Sequence, residues 1–203
     1  MHGLPLLDAA SHHAYFCTYR EPGQILKVSL GNGDSRPPEV VGALVLEPEE
    51  DKPFNAVIGA GYAYFATDLP GKVVKVGLGD GNDPPYRVGS VLLDPHYNAR
   101  VGVVDSATGY GCFSVADRLY KLWLGKGDET PAVVAHVELP NAAMGLVSAV
   151  LDPTTHYAYL QLPQWSLPNA DSIVDELLGW LHQTAMSLLA TKATGVDSPG
   201  ELR

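Results

Sequence analysis

Short segments in which apolar and polar residues alternate run through the first three quarters of the chain. LKVSL (26–30), VKVGL (74–78) and YKLWL (120–124) each place every second residue on one apolar face. A period of two predicts β-strands with one buried face, and the Gly-rich runs that follow supply turns. The same alternation predicts that one lysine per segment lies on the solvent side: Lys27, Lys75 and Lys121.

These strand-like segments belong to a repeat. HAYFCTY (13–19), YAYFATD (62–68), YGCFSVA (110–116) and YAYLQLP (157–163) follow one another at intervals of 47 to 49 residues, with Cys112 at the place of the central tyrosine in the third. Four strand-like segments that recur every 40 to 50 residues are typical of a propeller blade. We therefore predict an all-β chain of about three and a half propeller-like blades over residues 1–162. Their ranges are 3–46, 54–93, 99–139 and, for the half blade, 144–162.

The best-preserved copy carries a family resemblance. Tyr-Ala-Tyr-Phe-x-Thr (62–67) is followed by Pro-Gly-x-Val-Val-Lys-Val (70–76), and the first copy ends in Val-Gly-x-Leu-x-Leu (41–46). Together these segments resemble the blade repeat of β-propellers of the YVTN and NHL-like type, over about residues 3 to 162. The resemblance implies a fold, an interaction surface and a tendency to occur in assemblies. It transfers no catalytic residue.

Three and a half blades form an incomplete ring. Closed propellers have 4 to 8 blades, and an open one leaves a sheet edge exposed. The arc is covered by another segment, completed by a second chain, or part of a longer protein. Each alternative favours protein partners, so we expect other subunits or self-association.

The character of the sequence changes after residue 162. A linker (163–170) precedes a predicted amphipathic α-helix (171–194), and a flexible tail (195–203) follows. The helix either caps the chain's own sheet, docks on a partner or lies on a membrane surface. The candidate partner-binding residues form its apolar stripe: Ile173, Leu177, Leu178, Trp180, Leu181 and Leu188.

Charge and composition exclude several classes of function. The formal net charge of -10 disfavours nucleic acid and anionic membranes as partners. No apolar run is long enough for a membrane span, and the N-terminal residues do not read as a signal peptide. The compartment stays open, because an extracellular or organellar location is compatible with a processed N-terminus. The two cysteines, Cys17 and Cys112, are expected to be free thiols, with a disulfide as the alternative.

No catalytic, metal or cofactor motif is apparent. The seven histidines show no metal-ligand spacing, and no nucleophile elbow or phosphate-binding loop is present. We therefore predict no catalytic residues, no metal and no cofactor. Asp8, Asp105 and Asp152 recur with the repeat and are expected to bond the backbone of the following turn, while a cation-binding ring is the alternative. Structural roles are also expected for the repeated tyrosines, Tyr15, Tyr64 and Tyr159.

These observations predict a function without catalysis. The chain is expected to be a structural or protein-interaction subunit of a larger assembly, and not an enzyme. One alternative is a ligand- or carbohydrate-binding propeller that uses Trp123, Trp165 and Tyr86. The other is a propeller hydrolase or lactonase, which requires acidic and histidine residues that converge on the axis.

Overall fold

The computed structural model describes residues 5–31, 33, 35–139 and 146–161. Within them the chain forms antiparallel sheets whose strands follow one another in sequence order. The first sheet contains β1 (Leu6–Asp8), β2 (His13–Thr18), β3 (Gln24–Ser29) and β4 (Glu39–Val45). The second contains β5 (Asn55–Gly59), β6 (Tyr62–Ala66), β7 (Gly71–Gly77) and β8 (Tyr86–Asp94). The third contains β9 (Ala99–Asp105), β10 (Tyr110–Val115), β11 (Arg118–Trp123) and β12 (Ala132–Glu138), and a two-stranded sheet follows with β13 (Ser148–Asp152) and β14 (Tyr157–Gln161).

The sheets are arranged like the blades of a propeller. The first strand of each sheet contacts the first strand of the next, so that β1, β5, β9 and β13 form the inner edge of the arc. The fourth strands lie at the outer edge, as the order within each sheet requires. The prediction of an all-β chain built from four-stranded, propeller-like blades is therefore confirmed.

Part of the sequence-based prediction falls outside the described residues. This applies to the linker (163–170), the helix (171–194) with its six candidate partner-binding residues, and the tail (195–203). In the part of the chain that the structure describes, no helix has the length and apolarity needed to cross a bilayer.

Among the described residues, the hydrophobic core consists of two layers between neighbouring blades. One layer joins the first and second blades through Tyr15, Ile25, Phe65 and Val74. The other joins the second and third blades, and its buried side chains include Tyr64, Val73, Phe113, Leu122 and Leu124. Because successive side chains of a strand point to opposite faces, the middle sheet is buried on both faces. Each blade is thus stabilised mainly by its neighbours.

The sequence predicts that Lys27 and Lys75 face solvent, and for these two residues the prediction is wrong because neighbouring blades cover them. Lys27 and Lys75 are both 0% exposed. The Lys27 Nζ donates hydrogen bonds to the carbonyl oxygens of Leu78, Gly79 and Asp83, at 2.9, 2.9 and 3.0 Å, in the next blade. The Lys75 Nζ does the same one blade further on, at 2.6 to 3.1 Å, to the carbonyl oxygens of Leu124, Gly125, Gly127 and Glu129. A strand that lies between two blades has no solvent-exposed face. Its buried polar side chains therefore need hydrogen-bond partners in the adjacent blade.

The third repeated lysine has a different environment. The Lys121 Nζ lies over the Tyr110 ring, 4.6 Å from its centroid. Among the described residues it has no carbonyl cage, because the two-stranded fourth sheet contains no counterpart of the loop that encloses Lys27 or Lys75.

Both cysteines are free, as the sequence predicts. Cys17 lies on β2 and Cys112 on β10, in different blades. Burial raises the pKa of each thiol to about 11, so neither is a ready nucleophile near neutral pH.

Candidate active site

The turns between the first and second strands lie at the inner edge of the arc, and three of the four follow an aspartate. Asp8, Asp105 and Asp152 each end the first strand of their blade. Each carboxylate accepts a hydrogen bond from the amide two residues later, at 3.2, 3.0 and 2.8 Å respectively. A turn hydroxyl adds a second bond in two of them, from Ser11 to Asp8 and from Thr108 to Asp105. These aspartates therefore fix the conformation of the turn.

The last residue of each turn has a left-handed backbone. Glycine occupies this position in the second and third blades, with φ of 81° at Gly61 and 77° at Gly109. Histidine occupies it in the first and fourth blades, with φ of 57° at His12 and 61° at His156. Left-handed φ is uncommon outside glycine, although histidine is among the residues enriched there. The two histidines thus stand at equivalent places of the repeat.

One of these histidines pairs with the aspartate of the preceding blade. The Nδ1 of His156 lies 2.7 Å from the Oδ2 of Asp105, across the boundary between the third and fourth blades. Asp105 is 13% exposed and His156 is 44% exposed. The pair therefore joins a largely buried carboxylate to an imidazole that solvent reaches.

The surroundings of Asp105 favour its ionised form. Burial is the largest single influence and would raise the Asp105 pKa. Hydrogen bonds from Thr108, His156 and the Ala107 amide outweigh it and hold the pKa below its ordinary value. An ionised carboxylate only accepts hydrogen bonds, so the shared proton belongs to the Nδ1 of His156. In the neutral imidazole this leaves the lone pair on Nε2.

Such an arrangement suits proton transfer. A carboxylate that orients an imidazole through Nδ1 prepares Nε2 to act as a general base and then as a general acid. A cation site is a poorer fit, because the described residues contain no group of three or more histidine, cysteine, aspartate or glutamate side chains that could hold a metal ion. Among the described ranges, the alternative of an aspartate ring that binds a cation gains no support.

The tyrosines and the other aromatic residues named in the sequence analysis occupy other positions. Tyr15 and Tyr64 are buried between blades, and the Tyr15 hydroxyl donates to the Leu78 carbonyl at 3.1 Å. Tyr159 is exposed. Of the aromatic residues considered for ligand binding, Tyr86 begins β8 and donates to Asp128, Trp123 ends β11, and Trp165 lies outside the described residues. The structure does not bring Tyr86 and Trp123 into one aromatic contact.

The chain is propeller-like, because its four-stranded antiparallel sheets follow one another as blades. Two solved structures have a similar fold. No protein-family model matches the chain, and no curated protein matches it. A protein of Lactobacillus plantarum aligns with a TM-score of 0.59 and 14% identity, over 80% of this chain and 54% of that one. A candidate 6-phosphogluconolactonase of Bacteroides uniformis aligns with a TM-score of 0.57 and 12% identity, over 77% of this chain and 48% of that one. The chain thus spans about half the length of the solved structures it matches.

This likeness corrects the predicted absence of catalysis. The expectation of a non-catalytic structural or interaction subunit, and of a protein that is not an enzyme, rested on the blade fold and on missing motifs. The same fold occurs in a candidate lactonase, so blades of this kind do not exclude catalysis, and the expectation is overturned. Assignment to the YVTN and NHL-like repeat class stays a prediction.

Sequence reasoning missed the pairing of Asp105 with His156. The sequence predicts only that Asp105 bonds the backbone of its own turn, and it indicates no metal-ligand spacing for the histidines. One sequence signal could have indicated the pairing. Asp105 ends the first strand of the third blade, and His156 ends the turn after the first strand of the fourth blade. Stacking of the blades brings these two positions into contact.

Proposed function

We propose that this propeller hydrolyses lactones, with the pair of Asp105 and His156 as its acid–base machinery. The observation that carries the proposal is the 2.7 Å contact between the largely buried Asp105 and the accessible His156 at the inner edge of the blades. The fold shared with a candidate 6-phosphogluconolactonase supports a cyclic ester as the substrate class.

The reaction assigns one role to each residue. The Nε2 of His156 accepts a proton from water as the water oxygen attacks the ring carbonyl carbon, and Asp105 orients the imidazole and stabilises its charged form. The tetrahedral intermediate then breaks the bond between the carbonyl carbon and the ring oxygen. The departing oxygen takes the proton from the imidazolium, which leaves a hydroxy acid and restores the neutral histidine. His156 is thus the catalytic residue and Asp105 the positioning residue.

Charge at the inner edge favours an uncharged lactone. Asp8, Asp105 and Asp152 repeat along this edge, and the chain as a whole has a formal net charge of -10. Negative charge near a site lowers the local concentration of anionic ligands. We therefore expect a neutral sugar lactone, such as glucono-δ-lactone, to be a better substrate than its phosphorylated counterpart.

The test compares two histidine variants. Purified native chain is expected to accelerate the opening of glucono-δ-lactone over the spontaneous rate. His156→Gln is expected to lower kcat/KM about a hundredfold, because removal of a general base typically costs at least that much. His12→Gln is the matched control, since His12 has the same turn position and backbone conformation but no aspartate partner in the described residues. It is expected to keep at least half of the native rate.

Two results would contradict the proposal. One is a native chain that leaves the rates of neutral and phosphorylated lactones at their spontaneous values. The other is an equal loss of rate in both histidine variants while circular dichroism shows both folded, because the Asp105 contact would then be irrelevant to catalysis.

A further inference from the structure

The two ends of the arc present faces whose counterparts are buried between the first, second and third blades. The repeated tyrosine is 1% exposed at Tyr15 and 1% at Tyr64, because each is covered by the following blade, but it is 48% exposed at Tyr159. On the opposite face, the next phenylalanine position is 0% exposed at Phe65 and 1% at Phe113 but 41% at Phe16. Within the described residues, no blade covers the Tyr159 face of the fourth sheet or the Phe16 face of the first.

These two faces are complementary by repetition. Tyr15 packs with Phe65 in the layer between the first and second blades, and its hydroxyl donates to the Leu78 carbonyl. Leu30 is the counterpart of Leu78 in the first blade, and it is 41% exposed against 7% for Leu78. A first blade placed after the fourth would therefore offer Tyr159 the same phenylalanine and the same carbonyl position that the second blade offers Tyr15.

We propose that a second copy of this chain occupies these faces, so that two copies associate head to tail through Tyr159 of one and Phe16 of the other. Each copy contributes three four-stranded sheets and one two-stranded sheet, so two copies supply the equivalent of about seven blades, within the range of closed propellers. The aligned part of one chain, 80% and 77% of its length, covers 54% and 48% of the two solved structures that share its fold, so two such parts are about as long as one of those structures. A head-to-tail contact that is used twice closes into a two-fold ring.

The burial argument is independent of the proposed reaction, so the assembly and the activity are tested by separate readouts.

The assembly is tested by light scattering on the full chain across a range of concentrations. The expected mass is twice 21.6 kDa. Phe16→Asp and Tyr159→Asp are each expected to be monomeric, because each places a charge in an apolar contact. Val134→Asp is the matched control, since Val134 is 54% exposed on the outer strand β12 of the third blade, and this variant is expected to remain dimeric.

Mixing the two monomeric variants tests the head-to-tail geometry. Phe16→Asp keeps an intact Tyr159 face, and Tyr159→Asp keeps an intact Phe16 face, so that their mixture regains one sound contact and is expected to form dimers. A native chain that is monomeric, or that grows into open oligomers with concentration, overturns the proposal. So does a dimer that survives both substitutions, or a mixture that stays monomeric.

Discussion

Replacement of Lys75 with methionine is expected to lower the free energy of unfolding by about 3 to 5 kcal/mol. The Lys75 ammonium is wholly buried and donates to four carbonyl oxygens of the third blade, at 2.6 to 3.1 Å. Methionine fills a similar volume but donates no hydrogen bond, so these carbonyl oxygens lose their partner inside the protein. Burial lowers the Lys75 pKa, although the nearby Asp128 and Glu129 act in the opposite direction.

Lys121→Met is the matched control for this experiment. Lys121 has the same repeat position. Its ammonium lies over the Tyr110 ring, and within the described residues no loop of carbonyl oxygens surrounds it. Its loss is expected to cost at most about 1 kcal/mol, the usual worth of a partly exposed cation–π contact. Chemical denaturation of the two variants measures the difference. Equal destabilisation would show that the carbonyl cage adds nothing to the packing of the lysine stem.

A second large effect is expected at Glu50, in the connection between β4 and β5. This side chain is 1% exposed and accepts two close bonds from Arg87 of β8, at 2.9 Å from Nε and 2.7 Å from Nη2. Glu50→Gln keeps the shape but leaves the guanidinium without its buried counter-charge. We expect the free energy of unfolding at pH 7 to fall by about 2 to 4 kcal/mol. Glu47→Gln removes the exposed partner of the same arginine, at 3.0 Å, and is expected to cost less than about 1 kcal/mol.

The Glu50 effect should depend on pH. Burial, the largest single influence, would raise the Glu50 pKa, but hydrogen bonds from Arg87, Ser90 and the Glu47 amide hold the pKa below its ordinary value. A carboxyl whose pKa is lower in the folded state stabilises the fold above its unfolded pKa of about 4.3 and loses that contribution as the pH falls through the folded value. The gap between native protein and Glu50→Gln should therefore narrow below about pH 4. A gap of the same size at pH 3 and pH 7 would contradict the ionic role of Glu50.

The strands and the blades could be predicted from the sequence because their signals are local. Period-two alternation in LKVSL (26–30) and VKVGL (74–78) identifies strands, and the interval between Tyr15 and Tyr64 gives the size of the repeat. The place of the lysines could not be predicted in this way. Alternation separates the two faces of a strand, but it does not say that a second blade covers the polar face.

The candidate site also depends on how neighbouring blades stack, which the local sequence pattern does not show. Asp105 and His156 are 51 residues apart in the sequence, and each has a sufficient local role in its own turn. Their contact follows from how far one blade is displaced from the next, which no single repeat encodes. The exposure of Tyr159, in contrast to Tyr15 and Tyr64, is likewise a property of the stacked blades, since the three residues have the same sequence surroundings.

The most direct test of a catalytic propeller is the initial rate of glucono-δ-lactone hydrolysis by the native chain and by Asp105→Asn, at equal concentrations of folded protein. We expect acceleration by the native chain and, in Asp105→Asn, a loss of about a hundredfold in kcat with little change in KM, because asparagine no longer orients and stabilises the charged imidazole. Equal rates for the two proteins, or a native rate no faster than the spontaneous reaction, would contradict it.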